Sequence, residues 1–89
     1  MDAEMMADFF AAKTSEHLDN GDNSAAILDC GTTISKGIRD ARIYNNRAYA
    51  YIAQREWLKA RLDFESSLKL DPTDDWVRDK INEFKSKGY

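Results

Sequence analysis

Apolar residues recur at spacings of three and four in five stretches of the chain, each closed by a short polar or glycine-containing breaker. None of these stretches alternates apolar and polar positions with the β-branched enrichment a strand needs, so the pattern predicts an all-α chain. The first helix is expected over about 2–20, with Met6, Phe9 and Phe10 as its apolar stripe and Asn20-Gly21 as a left-handed terminator. The second is expected to start on Asn23 or Ser24 as N-cap and to run through Ile27, Leu28, Thr33 and Ile34 toward Gly37.

A third helix is expected over about 40–54, with Ile43, Tyr44, Tyr51 and Ile52 apolar and alanines at 48, 50 and 53 where close helix approach is useful. The fourth, about 56–70, places Trp57, Leu58, Leu62, Phe64 and Leu68 on its buried sides and stops before Pro72, because the residue preceding a proline disfavours α geometry. A fifth, capped by Thr73 or Asp74, carries Val77, Ile81 and Phe84 on one face and Arg78, Asp79, Glu83, Lys85 and Lys87 on the other.

The chain also repeats itself. Laying 7–40 over 41–74, a shift of 34, pairs Ala7 with Ala41, Phe10 with Tyr44, Ala26 with Ala60, Leu28 with Leu62, Asp29 with Asp63 and Ile34 with Leu68 without a gap. The second unit resembles the tetratricopeptide repeat: Tyr44, Ala48 and Tyr51 occupy the aromatic, small and aromatic places of its first helix, and Ala60, Phe64 and Pro72 match its second helix and terminator. Small residues facing one another let antiparallel helices approach, while aromatics fill the diverging ends. The first unit keeps Phe10, Gly21 and Ala26 but has Thr14, His17 and Ile38 where a small residue, an aromatic and a proline are usual. The resemblance implies one domain over 1–89: two antiparallel hairpins (about 7–40 and 41–74) and a capping helix (about 73–87) in a right-handed solenoid.

In this family the first helix of each hairpin lines the concave surface. The resemblance therefore implies a groove formed by Asp8, Ala11, Ala12, Ser15, Leu18 and Asp19, then Arg42, Asn45, Asn46, Tyr49, Ile52 and Ala53, with Trp76, Asp79, Lys80 and Glu83 from the cap. The expected peptide-binding residues are Arg42, Asn45, Asn46, Tyr49, Trp76 and Lys80. Trp76 reads either as a partner anchor or as packing within the cap, Tyr49 as groove contact or internal packing, and Asn46 as a ligand contact or a solvated helix position. The run Tyr44-Asn45-Asn46-Arg47-Ala48 further resembles co-chaperone tetratricopeptide domains that grip the C-terminal carboxylates of heat-shock proteins. Asn46 falls on the clamp asparagine and Lys80 on one basic position, but Trp76 occupies the other basic position, and Ala11 and Ser15 replace a lysine and an asparagine. A complete two-carboxylate clamp is absent. The resemblance still implies that Arg42, Asn46 and Lys80 hold one carboxylate of an acidic C-terminal tail, an interaction of roughly 1.5–3 kcal/mol.

Composition narrows the partners. With 89 residues, 43% of them hydrophobic and 33% charged, one proline and four glycines, the chain reads as globular rather than disordered. A formal net charge of −3 supplies no long-range attraction for nucleic acid or anionic lipid. No apolar run approaches the roughly 20 residues of a membrane span, and the first ten residues lack the basic flank of a leader. Cys30 stands alone, which suits a reducing, cytoplasmic setting, and it occupies the place of Phe64 in the repeat, that of a buried small hydrophobe. His17, the one histidine, has no second metal ligand at useful spacing and is expected in the core or at its boundary; Asp22, Asp29, Asp63, Asp71, Asp74 and Asp75 build no calcium loop. No phosphate cradle, nucleophile elbow or carboxylate pair is visible, so neither catalysis nor a cofactor is expected. A second expectation is assembly: Met5, Met6, Phe9 and Phe10 leave an apolar N-terminal edge on which a homodimer or another subunit can dock.

Overall fold

The computed structural model describes residues 2–89, and these form five α-helices and no strand: α1 (Ala3–Asp19), α2 (Asn23–Ser35), α3 (Ala41–Ala53), α4 (Trp57–Leu70) and α5 (Asp75–Ser86). Asp2 caps α1 by accepting a hydrogen bond from the Met5 amide at 2.8 Å, and Asp40 and Asp74 cap α3 and α5 in the same manner. The caps expected for α2 differ. Asp22 takes the N-cap place with no side-chain bond, and its own amide closes the preceding turn on the His17 carbonyl at 2.8 Å.

That turn is built identically in both hairpins. Gly21 (φ 77°) ends α1, and Arg55 (φ 60°), 34 residues later, ends α3; the next amide in each case returns to the carbonyl of His17 or Tyr51. Ile38, in the place of Pro72, is buried instead of terminating by ring chemistry, and Gly37 supplies the left-handed residue there.

Neighbouring helices pack in sequence, and α1 also lies against α3, so the first three helices form one layered unit. The backbone of α5 neighbours α4, and no Cα of α3 comes within 8 Å of α5. The core has two parts. Ala11, Cys30 and Ile43 join α1, α2 and α3, with Phe10 and Ile34 against them; Ala48, Ala60, Phe64, Val77, Ile81 and Phe84 join α3, α4 and α5. Ala26 and Ala60 are both fully buried, as the small-residue reading of the repeat requires. At Thr14, the counterpart of Ala48, a hydroxyl is accommodated by hydrogen bonds to the Phe10 and Ala11 carbonyls.

Two residues expected on the buried sides of α4 lie outside the core, as does Leu28 on α2. Leu58 and Leu62 are about half exposed (52% and 49%) and Leu28 is 70% exposed. Leu62 lies two positions from both Ala60 and Phe64, about 200° around the helix, so burying those two turns Leu62 outward; Leu28 is its repeat counterpart and shares the fate. On α1 the buried stripe is Ala7, Ala11 and Thr14, which leaves Met5 and Phe9 more than half exposed while Met6 and Phe10 are half-buried.

Candidate functional site

The six residues expected to line a binding groove fall into two separate settings. Arg42 and Asn46 belong to the α1–α3 seam. The Arg42 guanidinium donates to Asp8 on α1 at 2.6 Å and to both carboxylate oxygens of Asp40 at 2.8 and 3.0 Å. These bonds push the guanidinium further above its usual range and hold the Asp40 carboxyl below its own. Asn46 spends its amide nitrogen on the Thr14 hydroxyl at 2.7 Å and the Ala11 carbonyl at 3.1 Å. Both residues tie helices together: the Arg42 guanidinium is paired with two carboxylates, and the Asn46 amide nitrogen has both of its hydrogens engaged. Asn45 is half-buried, and its side-chain oxygen has no hydrogen-bond partner among the described residues.

Tyr49, Trp76 and Lys80 form the second setting. Their helices do not touch through the backbone, and large side chains span the gap. The Tyr49 and Trp76 rings lie 5.8 Å apart, and both stand edge-on to the buried Phe64 ring at 6.0 and 5.9 Å. Their inner faces are thus packed, while 42% of Tyr49 and 47% of Trp76 remain open. Burial, with the nearby Asp74 carboxylate, pushes the Tyr49 phenol up, so it stays a neutral donor. The Lys80 ammonium lies 5.4 Å from the Trp76 ring centre and 3.3 Å from Glu83, whose carboxyl is lowered by Lys80 and Lys87. The arrangement offers a firm aromatic surface with one cation at its margin, of a chemistry that an apolar side chain can pack against.

Met5 and Phe9 remain open at the other end, whereas Phe10 is drawn inward and covered by the Lys36 ammonium, 5.2 Å from its ring. His17 lies at the core boundary, 2.8 Å from Asp29. Cys30 is fully buried, and desolvation pushes its thiol up to about 11. No group of three or more His, Cys, Asp or Glu side chains converges among the described residues.

Sequence reasoning missed the pair Arg47–Asp63, in which two parallel hydrogen bonds of 2.8 and 2.7 Å join α3 to a carboxylate that is 4% exposed. Burial pushes Asp63 up against the pull of these bonds, and they in turn hold Arg47 charged. The same positions in the first hairpin are Lys13 and Asp29, 3.5 Å apart and more exposed. The signal was available: the shift of 34 that aligns Asp29 with Asp63 also aligns Lys13 with Arg47.

Antiparallel hairpins built on one 34-residue plan, with matched turns, matched small-residue contacts and matched cross-hairpin ion pairs, define a helical-repeat protein of the kind that presents surfaces to other proteins. Residues 41–74 match the tetratricopeptide repeat family, and the α3–α4 hairpin is a tetratricopeptide repeat, a general protein–protein interaction module. No curated protein and no solved structure matches the chain. No helix among the described residues is long and apolar enough to cross a membrane.

Proposed function

We propose that the chain holds a segment of a partner protein against the α3–α5 face, with Tyr49 and Trp76 as the anchoring surface and Lys80 at its edge. The observation that carries this reading is the pair of half-open aromatic rings backed by buried Phe64. Their inner contacts fix the rotamers before binding, so a partner's apolar side chain meets a preformed surface and little ordering cost is added. The activity is binding, without a cofactor and without catalysis. An acidic C-terminal tail is the less favoured occupant, since Arg42 is already neutralised by two carboxylates and the Asn46 amide nitrogen is spent on α1. Peptides selected from a displayed random library on the domain test the reading. Binding should fall at least about tenfold, some 1.4 kcal/mol, in Trp76→Ala and survive in Trp76→Phe; undiminished binding to Trp76→Ala would refute it.

A second reading is favoured by a separate observation. Met5 and Phe9 lie one turn apart on α1 and are 56% and 53% exposed, an apolar edge on which the chain docks to another subunit.

A further inference from the structure

The two ends of the helical stack carry surfaces that match but cannot meet within one molecule. At one end, α4 and α5 diverge around a groove of about 500 Å³ with Leu68, Pro72 and Ile81 in its lining and Lys69, Arg78 and Lys85 around it. Of these cations, Arg78 is held by Asp75 and by the Pro72 carbonyl, and Lys85 stands 3.9 Å from Glu65, a carboxylate already engaged by Arg61 at 2.6 Å. Lys69 has no ion-pair partner among the described residues. The groove is apolar at its centre and carries a net positive rim.

At the opposite end, the first turns of α1 show the complementary pattern. Met5 and Phe9 project as an i, i+4 apolar pair, and Asp2, Glu4 and Asp8 are all exposed carboxylates, with Lys36 and Arg39 beside Glu4 on the flank of the helix that faces the α2–α3 turn. Asp8 is shared with Arg42, while Asp2, whose carboxylate also caps the helix, and Glu4 have no ion-pair partner among the described residues. Since α1 neighbours α2 and α3 and has no Cα within 8 Å of α4 or α5, one molecule cannot close this contact on itself.

We propose that α1 of one copy docks through Met5 and Phe9 into the α4–α5 groove of the next, with Asp2 and Glu4 facing Lys69 and Lys85, so that the chain associates head to tail. This rests on the second reading above and adds the receiving surface and its polarity. Two different patches meet, so the contact is heterologous and repeats from copy to copy, unlike an α1-to-α1 dimer, which stops at two. Facing charges of opposite sign also make the association weaker at high salt.

Sedimentation of three proteins, up to about 1 mM, separates the alternatives, with circular dichroism to confirm that each variant is folded. Wild type should form species beyond a dimer as concentration rises. Phe9→Glu, which blocks the head, and Lys69→Glu/Lys85→Glu, which blocks the groove, should each remain monomeric. Mixed in equal amounts they should form a complex of two chains and no larger, because one intact head meets one intact groove. If Lys69→Glu/Lys85→Glu associates as wild type does while Phe9→Glu does not, the groove assignment is overturned and the edge reading stands. A monomeric wild type, or a Phe9→Glu that still assembles, overturns both.

Discussion

Asn46 on α3 donates to the Thr14 hydroxyl on α1 across 2.7 Å, and with its second bond to the Ala11 carbonyl it makes one amide a part-buried polar link between the two hairpins. Thr14 occupies the place of a small residue in the repeat, and Asn46 is what satisfies its fully buried hydroxyl from the far side. Asn46→Ala should therefore cost about 1–2 kcal/mol of stability. A double-mutant cycle with Thr14→Val, read by urea unfolding, should return a coupling of about 0.5–1.5 kcal/mol. Strict additivity would show that the two residues act independently.

The two cross-hairpin ion pairs should differ in consequence despite their equivalent positions. Asp63 is almost fully buried and leaves Arg47 half-buried without a counterion when removed, so Asp63→Ala should destabilise by about 3–5 kcal/mol. Asp29 is paired with Lys13 at a more exposed site, and Asp29→Ala should cost under about 1 kcal/mol. Denaturant midpoints of the two variants compare them directly; equal losses would contradict the burial argument.

Arg55 holds a left-handed conformation that its counterpart Gly21 adopts freely. Arg55→Gly should stabilise the fold by about 1 kcal/mol, raising Tm by roughly 4–8 °C in a domain of this size. Gly21→Ala should lose a similar amount through the backbone alone, because an added Cβ at Gly21 meets nothing within 4 Å. A fall in Tm for Arg55→Gly would mean that the arginine side chain contributes more than its backbone strain costs.

Burial raises the Cys30 thiol from its ordinary 9.0 to about 11, so the folded state favours the neutral thiol. The sign follows: this stabilisation is complete below pH 9.0 and is lost as pH rises toward about 11. At about pH 8 the thiol should react with a disulfide reagent far more slowly in the native protein than in denaturant. Equal rates would place Cys30 outside the core.

Five helices, their breakers and the 34-residue repeat were legible because each depends on local chemistry: caps, left-handed residues and small-residue spacing. Val77, Ile81 and Phe84 were correctly assigned to the core since their face is the sole apolar one on α5. Leu58 and Leu62 were not, because α4 is apolar on more than one side and periodicity alone does not say which side is covered. The candidate site was less legible. Tyr49 and Trp76 could be named, but the commitment of Arg42 to Asp8 and of Asn46 to Thr14 depends on partners 34 and 32 residues away, which no local pattern discloses. The splaying of α5 from α3, bridged by aromatic rings, likewise follows from side-chain bulk at two distant positions.

A two-dimensional amide NMR titration of the labelled domain, with acidic C-terminal tails, amphipathic helical peptides and library-selected peptides, tests the central claim most directly. The account predicts that a binding peptide shifts the amides around Tyr49, Trp76 and Lys80 and the Trp76 indole resonance, with little change at Arg42 and Asn46. Binding that leaves Tyr49 and Trp76 unmoved while displacing resonances elsewhere would contradict the assignment of the α3–α5 face as the binding surface.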